Sequence, residues 1–572
     1  MDTNLKEDVD IDSLDFFEVV DGLENEYDIE IESDEDIRGN YLSNRVVVTG
    51  MGAVTPIGND ANAFAHNLFN SKVGIAPITK FDASDTGVTV AAEVKDFDPG
   101  QRLDKRDYKR IDLFSQYALY SAKEAMDQAG LKKGDYDPED LGVMYGNGIG
   151  GLTTIESDII KMHDKGPKRV SPLFVPKAIA NMASGNVSIY FDAENTSQTI
   201  VTACASANNA IGNAFELIKQ GKAKMMIAGG TEAAITEIGI AGFAKLTALS
   251  TAKKVEDASM PFDENRNGFV MGEGAGTLIL EDYDHAKARG ANILAEVVGY
   301  GATSDAYHMT APNPSGKGAI KAMQEALDEG NIKTSELDYV NAHGTSTHAN
   351  DVAEAGAIEK LFNDNDHVKV SSIKGMVGHS LGAAGGLEAV ALVAALQNDQ
   401  MPVNVGMKHK DPEIHVDLVD EDNKKAPVNT AISNAFGFGG HNAEIRVNDD
   451  NGEVYFSKIP DHGNLKPTSE HQEETAKPTT IKASKPDVTT TSDNYQLKAP
   501  MVGILYYAPS PEKDDFKKDG DHVKKGETVC VIEAMKLVNE VKSPVSGTIV
   551  KRIPKSGSMV EYNEPIFEIQ ED

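Results

Sequence analysis

Arg45-Val46-Val47-Val48-Thr49-Gly50 is a β-branched run that stops on a glycine, and it sets the pattern on which the fold is read. Stiff β-branched side chains at consecutive positions suit a strand. Downstream, Leu113 to Gln128 has helical character, and the two kinds of segment alternate, punctuated by glycine clusters, to about Val447. This alternation predicts an α/β layered body of roughly 400 residues. From Asn448 to Asn494 the chain turns to Asp, Glu, Lys, Pro, Thr and Ser with almost no apolar periodicity, as in Glu474-Thr475-Ala476-Lys477-Pro478. Such a stretch buries too little surface to offset its ordering entropy and is expected to be a tether.

Beyond it lies an internal repeat. Lys498-Ala-Pro-Met-Val-Gly503 recurs as Lys542-Ser-Pro-Val-Ser-Gly547, an offset of 44, while Gly520, Val523 and Glu527 recur as Gly557, Val560 and Glu564, an offset of 37. Two duplicated halves explain both offsets if the first carries seven extra residues, placed within Tyr506 to Lys513. Short strands with Gly and Pro turns make this a small β sandwich or barrel.

The 572 residues carry 55 Lys and Arg against 90 Asp and Glu, a formal charge of −35. Sixteen of the acids fall in residues 1–40 against Lys6 and Arg38. That field repels nucleic acid and anionic lipid and favours a basic protein surface. Two cysteines, Cys204 and Cys530, give no disulfide framework and no clustered thiolate ligands, so no metal site is expected. There is no signal-peptide layout, and the apolar stretch Gly385 to Leu396 holds Glu388 and is too short to span a bilayer. A soluble cytoplasmic protein is expected. In the acidic N-terminus, Phe16, Val20, Leu23 and Tyr27 form one apolar stripe that Asp12 or Ser13 would cap, and a lone amphipathic helix needs a partner.

Chemistry concentrates at three places. Cys204 lies in Val201-Thr-Ala-Cys-Ala-Ser-Ala207 ahead of Ile211, Phe215 and Ile218 at helical spacing, which places the thiol at a helix N-terminus. There the dipole and free N–H groups are expected to lower its pKa. His343, in Asn341-Ala-His-Gly-Thr-Ser-Thr347, and His379, in Lys374-Gly-Met-Val-Gly-His-Ser-Leu-Gly382, both follow β-rich runs and precede small residues. Both rings are therefore expected at strand ends over one pocket. The glycine cluster Asn434-Ala-Phe-Gly-Phe-Gly-Gly440 offers backbone N–H groups to a developing oxyanion.

Cys204, His343, Lys374, His379 and the Phe436-Gly-Phe-Gly-Gly440 loop, in this order, resemble the elongating β-ketoacyl-acyl carrier protein synthases, synthase II in particular, over about 43–448. The resemblance implies a thiolase-like, five-layered α-β-α-β-α body at 41–448, made of halves near 41–290 and 291–448, and a homodimer. It implies an acyltransferase that takes an acyl group onto Cys204 and condenses it with malonyl thioester on an acyl carrier protein, releasing CO₂. His343 and His379 would stabilise the enolate, and the N–H groups of Cys204 and Phe436 the oxyanion. Lys374 and its buried carboxylate partner Glu354 would act electrostatically. Ile149 would line the acyl pocket with Phe436 as its gate, and Thr310 and Thr345 would touch the pantetheine arm. The basic run Lys105-Arg106 and Lys109-Arg110 is equally a carrier dock or a solvated helix face.

Glu533-Ala-Met-Lys536, with the duplication and the seven-residue insertion, resembles the biotinyl domain of bacterial biotin carboxyl carrier protein over about 495–572. This implies covalent biotin on Lys536 and, as partners, biotin carboxylase, carboxyltransferase and biotin protein ligase of acetyl-CoA carboxylase. Asp12-Ser13-Leu14 and the acidic helix after it resemble the second half of an acyl carrier protein, with Ser13 at the phosphopantetheine position. The segment, about 1–40, departs from that family in lacking the first helix. The whole then reads as a composite of fatty-acid synthesis. Two alternatives stay open: a biotinyl subunit on a dimeric scaffold, and an artefactual join of neighbouring genes.

Overall fold

The computed structural model describes residues 43–449, 495–499, 503–508, 513, 515–534, 537–560 and 564–572. The chain divides into two compact units, Met1–Phe456 and Ser457–Asp572. Ser13, the N-terminal stripe, most of the expected tether and Lys536 lie outside the described residues.

The first unit is built on ten strands: β1 (Val46–Val54), β2 (Leu141–Gly146), β3 (Ser197–Ile200), β4 (Met225–Glu232), β5 (Gly274–Asp282), β6 (Ala295–Ser304), β7 (Tyr339–Asn341), β8 (Lys369–Ser371), β9 (Thr430–Gly437) and β10 (His441–Asn448). Their spatial order is β8-β7-β9-β10-β6-β1-β5-β4-β2-β3. Outward from the central β6–β1 pair, each half repeats one arrangement. β1 and β6 pair antiparallel with β5 and β10, which pair antiparallel with β4 and β9. Those are followed by the parallel pairs β4–β2–β3 and β9–β7–β8. The halves meet through a short antiparallel contact of Val46–Val48 with Ala295–Val297.

Helices complete the layers. α1 (Leu113–Gln128) covers β1 and β5 on one outer face. α2 (Ser206–Lys219) and α3 (Ala384–Asn398) pack on each other and on strands of both halves, forming the middle layer. On the other outer face, α4 (Lys317–Glu329) covers β6 and β10, and α5 (His348–Leu361) packs on α4. The result is the expected five-layered α-β-α-β-α body. The apolar run containing Glu388 is α3, in which every residue from Ala384 to Leu396 is buried. All nine residues of β1 are also buried. Gly50 is required there because a Cβ would come within 2.1 Å of the Ala125 carbonyl oxygen on α1.

The second unit holds β11 (Tyr495–Lys498), β12 (Gly503–Tyr506), β13 (His522–Val523), β14 (Thr528–Ala534), β15 (Leu537–Lys542), β16 (Gly547–Arg552), β17 (Met559–Val560) and β18 (Pro565–Glu571). They form two four-stranded sheets, β11-β18-β16-β13 and β15-β14-β12-β17. Adding 44 to β12 and 37 to β13 and β14 lands on β16, β17 and β18, so the repeat read from sequence exchanges one sheet for the other. Cys530 is buried between the sheets with Leu505, Ile532, Ile549 and Phe567.

Candidate active site

Cys204 sits where strand gives way to helix. After β3 the chain turns through the 3₁₀ segment Ala203–Ala205 into α2, and Ala203 takes φ 51°, a left-handed value uncommon for a residue with a Cβ. Cys204 thus stands at the head of α2, within a buried apolar cluster that includes Ile149, Ile235, Phe269, Met271 and Leu381. His379 Nε2 lies 3.0 Å from the Cys204 Sγ. The His379 ring meets Phe269 edge-on at 5.1 Å and His343 at 5.2 Å, and His343 meets Phe436 at 5.6 Å. His343 follows the end of β7, as expected, whereas the short helix Lys374–Val377 stands between β8 and His379; both rings share one pocket with the thiol.

Each histidine is anchored through its own backbone. The His343 and Gly344 N–H groups donate to Glu354 at 2.8 Å each. His379 N–H donates to the Val270 carbonyl at 2.7 Å, and Gly272 N–H donates to the His379 carbonyl at 2.9 Å. The rings are buried, and burial, then the Lys374 charge, holds both imidazoles well below their ordinary pKa, so both are neutral.

Three expectations change here. The helix terminus predicts a lowered thiol pKa, but burial pushes it up to about 12, against the opposing pull of Lys374 and of the Phe438 N–H. Desolvation of the thiolate outweighs what the helix terminus supplies, because Cys204 is buried among apolar side chains. Second, the backbone N–H that eases the thiol's ionisation is that of Phe438, two residues past the expected Phe436. Phe436 is the penultimate residue of β9, paired opposite Asn442, and gives the site only its ring. Third, Lys374 pairs with Glu388 on α3 instead of Glu354, both side chains buried. Glu354 serves His343 and also accepts from Asn434 Nδ2 at 3.2 Å. Thr310, expected at the pantetheine arm, stands apart from the groups at the thiol. It sits on a loop where its N–H donates to His308 Nδ1 at 3.1 Å, and the neighbouring Met309 carbonyl accepts from Gly439 N–H at 2.8 Å.

Ile149 is half-buried in the cysteine's apolar cluster, and Thr345 is buried two residues after His343 with Oγ1 2.9 Å from Thr347 Oγ1. Sequence reasoning missed Glu232 altogether. It ends β4 and accepts from Gly148 N–H at 2.8 Å, Gly382 N–H at 3.1 Å and Ile149 N–H at 3.3 Å. It thereby ties the Ile149 loop to the segment after His379. Burial raises Glu232 and Glu354 alike to about 7. The one signal for Glu388 was an acid alone in an apolar run.

Comparison with known proteins gives concordant results. Residues 43–286 match the family described as "Beta-ketoacyl synthase, N-terminal domain", and residues 294–408 its C-terminal domain. Residues 495–569 match "Biotin-requiring enzyme". A 3-oxoacyl-[acyl-carrier-protein] synthase 2 of Synechocystis is 48% identical over 408 residues, 71% of this chain and 98% of the relative. Its namesake from Staphylococcus aureus strain N315 is 46% identical over 402 residues, 70% of this chain and 97% of the relative. Among solved structures, the ishigamide ketosynthase/chain length factor aligns with TM-score 0.67 at 32% identity, covering 71% of this chain and 99% of that one. A type II PKS acyl-carrier protein in complex with its ketosynthase aligns with TM-score 0.66 at 31% identity, with the same coverage.

Proposed function

The chain belongs to the β-ketoacyl synthase family, an acyltransferase family, and from that premise we propose that it elongates fatty acyl chains by decarboxylative condensation on Cys204. The observation that carries the residue assignment is the 3.0 Å approach of His379 Nε2 to Sγ, with His343 on the same pocket wall. In the first half-reaction Sγ attacks the carrier thioester. Its proton passes to the departing pantetheine sulfur, with His379 Nε2 hydrogen-bonded to Sγ, leaving acyl-Cys204 and a free carrier thiol. A neutral resting thiol beside a neutral imidazole suits this step, because no charge is stored in the buried pocket before substrate arrives. In the second half-reaction a malonyl thioester loses CO₂, and His343 and His379 donate to its carbonyl oxygen as the enolate forms. The carbanion attacks acyl-Cys204, and the N–H groups of Cys204 and Phe438 hold the oxyanion until the C–S bond breaks. Ile149 lines the acyl channel, and Thr345 contacts the pantetheine arm, with Thr310 further out. Cys204→Ala is expected to abolish condensation of malonyl- and acyl-carrier substrates; a purified variant that still condenses overturns the assignment.

The partners are acyl carrier proteins, and the run Lys105, Arg106, Lys109 and Arg110 is the dock for their acidic helices. A homodimer is supported by the edge position of β3 and by exposed Ile189 and Val201 beside it. Two free, buried cysteines suit the cytoplasm. The biotin-requiring unit carries biotin on Lys536 for acetyl-CoA carboxylase, the enzyme that makes malonyl units. Co-expression with a biotin ligase is expected to add one biotin, at Lys536, by peptide mass spectrometry; an unmodified lysine removes this part of the reading.

A further inference from the structure

Cys204, His343 and His379 have a property that condensation does not use. Sγ and one ring nitrogen of each imidazole all lie within 4.8 Å of one another, and all three residues are buried. Zinc sits about 2.3 Å from a thiolate sulfur and about 2.0–2.1 Å from an imidazole nitrogen, so a tetrahedral set needs ligand atoms roughly 3.3–3.6 Å apart. The His379 Nε2–Sγ separation is 3.0 Å, shorter than that spacing by about half an ångström, which rotation of the two side chains opens. Bringing the third ligand in takes side-chain movement of about 1 Å and leaves the backbone in place. We propose that this triad is a reversible site for a soft divalent cation of the zinc class, and that its occupation closes the enzyme to acyl transfer.

The donor set selects the ion. One sulfur and two imidazole nitrogens suit zinc and exclude magnesium and calcium, which demand oxygen ligands. Binding exchanges a proton for the metal: Cys204–SH and Zn²⁺ give Cys204–S–Zn⁺ and H⁺, with both imidazoles donating neutral lone pairs and water filling the fourth position. No oxidation is involved. The nearby Lys374 charge does not bar the cation, since it is paired with the Glu388 carboxylate. Two features make the site reversible. Three protein ligands leave an open position, unlike a closed structural site. The Nδ1 atoms of His343 and His379 are buried without a hydrogen-bond partner, so no outer acceptor fixes the rings as in tight zinc sites. Acylation removes the thiol from the ligand set, so a loaded enzyme is protected. Metal capture by these side chains does not depend on which reaction they carry.

The test uses full-length protein titrated with Co²⁺ and then Zn²⁺. A sulfur-to-cobalt charge-transfer band is expected at one metal per chain, bleached by Zn²⁺ and absent in Cys204→Ser. His343→Ala is expected to weaken binding at least about tenfold, the floor for losing even an outer-shell partner. Zn²⁺ is expected to inhibit condensation in parallel, and prior acylation to block both effects. Native protein alkylated at Cys204 provides a second route that avoids a folding defect, and it too must lose the band. No band, or a band of equal intensity in Cys204→Ser or in the alkylated protein, overturns the proposal.

Discussion

Burial decides the electrostatics of Cys204. A thiol pushed up to about 12 gains thiolate about tenfold per pH unit across the neutral range, so its alkylation by iodoacetamide should rise steadily with pH past the ordinary thiol value of about 8.5. Rates measured by mass spectrometry that level off near pH 7 would show the helix terminus prevailing over desolvation. Lys374 and Glu388 raise a related point, because two buried charges are tolerable only as a pair. Glu388→Ala leaves the ammonium uncompensated, and the expected loss is about 3–5 kcal/mol, read as a lower midpoint in urea. The residue types at the thiol were legible because nucleophile and imidazoles stand in short glycine-flanked motifs. Their carboxylate partners were not, since Glu354 and Glu388 are 34 positions apart and both become buried. Only the packing of α3 against Lys374 decides between them.

The elements are fixed by close backbone approach. α1 lies so near β1 that Gly50→Ala places a methyl against the Ala125 carbonyl, and overpacking of this kind costs about 1–3 kcal/mol. Gly242, on the helix Glu237–Lys245, has open space where a Cβ would stand, with nothing within 4 Å. Gly242→Ala is therefore expected to raise the melting temperature slightly while Gly50→Ala lowers it. Differential scanning calorimetry of the two variants separates close packing from helix propensity. The β-branched run of β1 announced a strand, and its cover on both faces came with the packing. The two-residue shift between Phe436 and Phe438 was not announced, because a glycine loop gives no sequence signal for which N–H turns toward the sulfur.

At the scale of the molecule, the C-terminal unit has its own core, drawn wholly from residues after Tyr495. A fragment of residues 495–572 is therefore expected to fold and accept biotin alone, and a chain ending at 456 to keep its condensing activity; gel-shift with streptavidin and a condensation assay check each. The duplications differ in legibility. In the biotinyl unit, repeated Gly, Val and Glu positions carried the offsets of 44 and 37 into matching strands. In the synthase body the repeated strand order emerges only in space, since the pairing partners are far apart along the chain. The two units, the cysteine and histidine motifs of the pocket and the tandem repeat were legible along the chain, because each is written in local residue type and spacing. Tertiary structure alone decided which carboxylate neutralises Lys374, which N–H faces Sγ and in which direction the thiol's pKa moves. Those outcomes depend on distance and on exclusion of water, and both exist only once distant segments have packed together.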